Sequence, residues 1–239
     1  MDTFKLHRMD VSTVLIQYDT NPSDTFLKQL LAVKEALKKT FSIEIIHSYT
    51  ELLLKFEQPI ANYKQLKDHI ENILSAKLLK PNTKNCKHYI PVCYDAHFGK
   101  DLKGIAGSLK LTIEEVIELH ILSTYTIYFT GFLPGFLYLQ GLKSALHIPR
   151  KSTPELVIPK GSVAIGGSQT GIYPQTSPGG WHVLGHSPVL FFSSESQWST
   201  PFSAGDKLMF YAINSTEHAN ITAAIADGTY KHLKEEIDG

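Results

Sequence analysis

Arg150 follows a proline in a stretch with few other cations. A guanidinium fixed there can grip the oxygens of a carboxylate or a phosphate through two parallel hydrogen bonds, the alternative being a surface salt bridge. Further on, Gln169, Thr170 and Tyr173 in SQTGIYP place an amide, a hydroxyl and a phenol close together. That set can orient an amide-containing ring, or equally stabilise a turn. His182, beside Trp181, is either a proton shuttle, since imidazole titrates near neutrality, or an exposed strand histidine. His120 shares a helical face with Val116 and Leu119, where a hydrogen-bonded core histidine is the commoner outcome and proton transfer the alternative. Tyr138 reads as ligand contact or wall, and Phe136 and Trp181 as core or pocket wall. Cys86 and Cys93 are the only cysteines, too few for a zinc site or a disulfide framework, and read as reduced thiols near a strand. Cys93 would be a nucleophile only with a base or a positive field beside it. GFLPG and GGSQTG lack the lysine and hydroxyl that end a P-loop, and no metal site is evident.

The elements that must carry these groups change character along the chain. Ten of the sixteen glycines and seven of the twelve prolines fall between Gly131 and Pro188. Glycine lets backbone approach a ligand closely and proline stiffens a loop, so the stretch suits a binding frame, although tight barrel turns need the same residues. The short runs YTIYF, ELVIP, SVAIG, PVLFF and KLMFYAI predict an all-β barrel over 125–239, ending in a helix within ANITAAIADGTYKHLKEE. Before it, strand signals at Thr13–Tyr18, Ser42–Ile46, Leu52–Phe56 and Tyr89–Tyr94 alternate with helices over Phe26–Lys39 and Asn62–Ser75. That order, β-α-β-β-α-β, is ferredoxin-like and predicts an α+β domain over 1–94. Residues 95–124 read as a helical connector, with Asp101 capping a first helix and a Thr112/Glu115 capping box opening a second.

Composition limits the partners. The 23 basic and 23 acidic side chains cancel and are interspersed, so no field gathers nucleic acid or anionic lipid. Hydrophobic residues make up 43% of the 239 and charged ones 19%, enough apolar material for a core. No run approaches the roughly 18 apolar residues of a membrane span. The start, MDTFKLHRMD, lacks the apolar stretch of a signal peptide, and a cytoplasmic location is expected.

The blocks GFLPGFLYLQGL, IPR with the TP that follows, GSVAIGGSQTGIYPQTSPGGW and SAGDKLMF come in an order and spacing that resemble the KipI-like family, the allophanate hydrolase subunit 1 type. VCYDAHFGKDL and EVIELHILSTY are similar to that family's connector, and the likeness spans roughly Tyr89 to Tyr211. The resemblance implies a small α+β domain followed by a cyclophilin-like barrel. It also implies the B subunit of an ATP-dependent 5-oxoprolinase, opening 5-oxo-L-proline to L-glutamate with a C-type (KipA-like) and an A-type (LamB/YcsF-like) subunit, inactive alone, with ATP as co-substrate. Other members implied by the resemblance are inhibitors of a sporulation histidine kinase and carboxyl-transfer modules of urea carboxylase. The family's E-x-x-x-L-H pattern makes His120 a catalytic candidate beside His182, and Arg150, Gln169, Thr170, Tyr173 and Tyr138 the substrate-binding set. Arg150, Gln169, Tyr173 and His182 are expected to line one cleft, with His120 at its rim. Two family arginines are absent here, replaced by Glu155 and His186, and a protonated His186 would partly stand in.

Overall fold

Ser23 starts the first helix by accepting the Phe26 backbone N–H, and Phe26, Leu30, Val33 and Leu37 then recur at helical spacing as its buried stripe. In the computed structural model, which describes residues 3–76, 84–192 and 200–237, this helix belongs to the first of two units, Met1–Thr83 and Lys84–Gly239. The first unit runs β1 (Phe4–Arg8), β2 (Thr13–Tyr18), α1 (Asp24–Thr40), β3 (Ile43–His47), β4 (Glu51–Phe56) and α2 (Tyr63–Ser75). Its sheet is antiparallel in the order β1-β2-β4-β3. Val14, Ile16, Ile45, Leu52 and Leu54 meet the helix stripes in one core.

The fourth strand of this sheet is not Tyr89–Tyr94. β1, paired with β2 from Phe4↔Tyr18 to Arg8↔Val14, takes that edge, so the expected β-α-β-β-α-β order is replaced by β-β-α-β-β-α. The strand containing Tyr89 is β5 (Asn85–Cys93), and it lies in the second unit, so the division falls at Thr83/Lys84 rather than after residue 94. Ile90, Pro91, Val92 and Cys93 are buried in succession, as suits a strand covered on both faces.

The second unit continues with α3 (Leu102–Leu109), α4 (Ile113–Ile121), β6 (Thr124–Thr130), β7 (Leu137–Gln140), β8 (Glu155–Ile158), β9 (Ser162–Gly166), β10 (Gln169–Ile172), β11 (Ser177–Gly179), β12 (His182–His186), β13 (Lys207–Ile213), α5 (Ser215–Ala226) and β14 (Lys234–Ile237). Seven strands in the order β12-β9-β10-β7-β6-β13-β5 close into a barrel through the His186↔Cys93 pairing. β5 runs parallel to β13, and β14 adds to the Asn85–His88 end of β5. β8 and β11 form a separate two-stranded sheet, so ELVIP is not a barrel strand. PVLFF forms no strand either. The terminal helix ends before Gly228, which adopts a left-handed φ of 71°, and the residues beyond return as β14.

The expected connector helices are integral to the barrel. Leu102, Ile105, Ala106 and Val116 share one apolar core with Ile127, Leu139, Ile165, Leu184 and Phe210 of the strands. The Thr112/Glu115 capping box opens α4 as predicted. Asp101 precedes α3 but makes no side-chain cap; its carboxylate instead accepts the Val183 backbone N–H at 2.7 Å. No helix among the described residues is long and apolar enough to cross a membrane.

Candidate functional site on the outer wall of the barrel

Strand alternation sends neighbouring side chains to opposite faces, and here it separates two groups. Leu137, Leu139, Val163, Ile165, Ile172 and Leu184 join the barrel interior. Their neighbours Phe136, Ala164, Tyr173 and Val183 form a second cluster with Trp181, Ile158 and Tyr138 on the outer wall. Glycines make room for the rings. A Cβ at Gly166 would lie 2.6 Å from Trp181 Cδ1, and one at Gly179 would lie 2.2 Å from the Tyr173 hydroxyl. The glycines of GGSQTG and PGGW therefore serve close aromatic packing as well as turns.

Arg150 lies over this wall. Its guanidinium carbon stands 5.5 Å from the Trp181 ring centroid, within cation–π range, and Nη2 donates to Gln169 Oε1 at 3.3 Å. The backbone on either side is pinned: the Pro149 carbonyl accepts from His182 Nε2 at 2.9 Å, and the Lys151 N–H donates to the Gly180 carbonyl at 2.8 Å. Lys151 Nζ is anchored in turn by Asp101 at 2.7 Å and by Glu155, which also pairs with Lys100. None of the ion pairs among the described residues includes Arg150. The guanidinium is thus oriented by an aromatic face and an amide oxygen, with donors left over for an anion.

Tyr138 stacks on Phe129 with centroids 4.4 Å apart, and Tyr173 meets Phe136 edge-on at 5.3 Å. Burial pushes the Tyr173 phenol up to about 12, with the Trp181 backbone and the Arg150 charge working the other way. Burial likewise raises Tyr138, again opposed by Arg150. Both phenols are therefore neutral hydrogen-bonding groups at physiological pH. Trp181, which its sequence context marks only as core or wall, is the platform under Arg150, and Gly166, where a Cβ would strike the indole, is the residue that lets the ring pack closely there.

His120 and Thr170 lie on the other side of the wall. His120 is fully buried and stacks on Phe210 at 4.5 Å. Thr170 Oγ donates to the Ala164 carbonyl, so it accepts from His120 Nε2–H at 3.1 Å, leaving Nδ1 to accept from the Tyr94 hydroxyl at 2.7 Å. Burial lowers His120 to about 3. His120 is thus not at the rim of a cleft: α4 presents its apolar face to the core, and the histidine goes with it. Arg150 meets Gln169 and Trp181 and its charge acts on half-buried Tyr138, with His182 holding the Pro149 backbone; Tyr173, expected as a ligand contact, is only 2% exposed and belongs to the buried aromatic cluster.

The two arginine replacements bring no compensating cation. Glu155 is held below the usual carboxylate range: burial pushes it up, but hydrogen bonds from Lys100 and Lys151 prevail. His186 Nε2–H donates to the Lys160 carbonyl at 2.7 Å, leaving Nδ1 to accept from His218 Nε2–H at 2.8 Å. Burial lowers both histidines, so His186 is a neutral ring that does not stand in for a guanidinium. Cys93 is buried, and burial pushes its thiol up, which disfavours the thiolate. Among the described residues no group of three or more His, Cys, Asp or Glu side chains is placed to hold a metal ion.

The class is a seven-stranded barrel with two helices packed into its core and an aromatic outer wall, and the family of the carboxyltransferase domain, subdomain C and D, matches residues 4–202. The chain is 35% identical over 185 residues to the B subunit of 5-oxoprolinase from Haemophilus influenzae, covering 77% of this chain and 83% of that protein. It is 43% identical over 129 residues to the B subunit of 5-oxoprolinase from Bacillus subtilis, 54% of each. The crystal structure of TTHA0988 superposes with a TM-score of 0.72 at 30% identity, covering 85% of this chain but only 40% of that longer one. The urea carboxylase of Kluyveromyces lactis shares the fold, with a TM-score of 0.81 at 14% identity over 99% of this chain and 24% of that one. This chain belongs to the family of 5-oxoprolinase B subunits.

Proposed function

We propose that the chain is the B-type subunit of an ATP-dependent 5-oxoprolinase and that its outer aromatic wall holds the substrate. Arg150 carries this reading, as a guanidinium set on Trp181 and Gln169 with no carboxylate paired to it among the described residues. It grips the 5-oxoproline carboxylate, Gln169 reads the ring amide, and half-buried Tyr138 lies against the ring, while buried Tyr173 backs the wall by packing on Phe136. His182, whose Nε2–H is engaged by Pro149, offers Nδ1 as the proton acceptor. His120 and Thr170 support the site from behind by locking β10 to α4.

The lactam is resonance-stabilised and unstrained. Transfer of the ATP γ-phosphoryl group to its amide oxygen creates the leaving group that water attack otherwise lacks. The C-type and A-type subunits complete the site, so the chain alone is inactive. Two of the relatives described above are named as subunits, and two solved chains that contain this fold are much longer.

The test is reconstitution. Glutamate release from 5-oxoproline and ATP should require all three subunits, and robust turnover by this chain alone would refute the division of labour. Arg150→Ala should lower kcat/KM of the complex about 10- to 100-fold, the effect of losing a charged hydrogen bond of about 1.5–3 kcal/mol. Its thermal midpoint should barely move, since the side chain is exposed. Unchanged turnover would leave Arg150 a structural residue.

A further inference from the structure

A surface helix ordinarily docks through an apolar stripe, but α5 buries a single residue, and that residue is His218. Ile221, Ala224 and Ile225 are only half-buried. His218 meets His186 of β12 ring nitrogen to ring nitrogen, Nε2 to Nδ1 at 2.8 Å. His186 Nε2 lies 2.7 Å from the Lys160 carbonyl, which only accepts, so that nitrogen carries a proton. Between the two facing nitrogens there is room for one proton, owned by either ring. The bond therefore forms when both rings are neutral and when the pair carries one charge. With two charges, two N–H groups face each other and no bond can form.

The surroundings do nothing to accommodate the second charge. The Phe98 ring packs on both imidazoles, with centroids 5.2 Å from His186 and 4.4 Å from His218. Neither histidine forms an ion pair among the described residues. Asp95 already accepts from the Ser215 hydroxyl, and Glu217 from the Asn214 backbone N–H in the α5 capping box. His97, beside Phe98, repels a charge on His186. Cys93, opposite His186 in register, is a thiol pushed up by burial. Burial lowers both histidines, reinforced at His186 by His218 and His97 against the Lys160 carbonyl.

What α5 covers is the seam of the barrel. β12 closes on β5 through His186↔Cys93. Cys93 is fully buried, and its Sγ lies 3.9 Å from the hydroxyl of Ser215, the first residue of α5. The chain is tethered on both sides of the helix, by buried Ile213 before it and by β14 on β5 after it.

We propose that the His186–His218 bond is an acid-released latch: α5 covers the β5–β12 seam while the pair holds at most one extra proton, and swings off it, baring Cys93, when both rings are charged. Both folded-state values lie below the ordinary 6.5, so the latch is fully engaged above pH 6.5 and is lost as pH falls below it. The device is independent of the Arg150 wall, and its test involves no turnover.

The experiment measures hydrogen exchange of the full chain by mass spectrometry at pH 7.5 and pH 4.5, with rates corrected for their intrinsic pH dependence. At the lower pH, residues 215–226 should lose protection at least tenfold while β6 and β13 keep theirs. In Cys86→Ser, dithiodipyridine, which reacts with thiols in acid, should label Cys93 at least tenfold faster at pH 4.5, relative to the denatured chain. Ring 15N signals should show both His186 and His218 charged where α5 opens. His218→Phe, which keeps a ring on Phe98 but takes no proton, should abolish the pH dependence. Unchanged α5 protection, a Cys93 that stays shielded, a loss shared with β6 and β13, or opening while either ring is still neutral would each overturn the proposal whether or not that variant folds. Opening that persists in a folded His218→Phe would overturn it too.

Discussion

His120 and Arg150 show how differently two polar residues of one barrel wall are used. Arg150 is exposed and keeps spare donors, while His120 is sealed in with both ring nitrogens engaged. His120 therefore makes stability depend on pH. Its folded value, about 3, lies below the ordinary 6.5, so below pH 6.5 the unfolded chain takes up a proton that the folded chain refuses. The stability is fully present above pH 6.5 and is lost as pH falls toward 3, by about 1.4 kcal/mol per pH unit. His186, His218 and His232 are also lowered and steepen the same limb. Urea unfolding at pH 7.5 and pH 4.5 separates the contributions. His120→Gln should be less stable at pH 7.5 yet lose about 2 kcal/mol less than the unaltered chain on acidification. An equal loss in both would mean that His120 is protonated in the fold.

At the scale of elements, the wall works because β9, β10 and β11 bring backbone close to rings. The strand β9 ends at Gly166, directly beneath Trp181, and no side chain fits between. Gly166→Ala should lift the indole, at a cost of about 1–3 kcal/mol for overpacking. It should also weaken 5-oxoproline binding in the reconstituted complex, because Arg150 loses its platform. A thermal midpoint that falls with binding unchanged would show that the indole does not orient the guanidinium. At the same scale, β1 and β14 were the least legible. FKLHR at β1 is polar and short, and KEEI at β14 is an exposed strand without an apolar alternation. Periodicity finds an element by its buried face, and an edge strand that buries little leaves no such mark. α1, α2 and α4, by contrast, declared themselves through caps and stripes.

For the whole molecule, the decisive strand is β5, which pairs with β13, β14 and β12 and so completes the barrel. A fragment of residues 84–239 should unfold as one cooperative transition by circular dichroism. A fragment of residues 95–239 lacks the strand that joins β12 to β13 and should show no native near-ultraviolet signal. A native-like melt of the shorter fragment would show that β5 is dispensable. The sequence alone determined the family, the helices α1, α2 and α4, the strand-rich character of residues 125–213, and the polar residues from which the candidate site is drawn. Those are written locally, in periods of two or 3.6, in capping pairs and in a glycine-rich frame. Only the tertiary structure decided which sheet β5 joins, because pairing depends on the partner's edge and not on the strand's own pattern. It alone also decided that Thr170 and Gln169, adjacent in sequence, serve opposite faces of the wall, since only the closed barrel defines which face is inside.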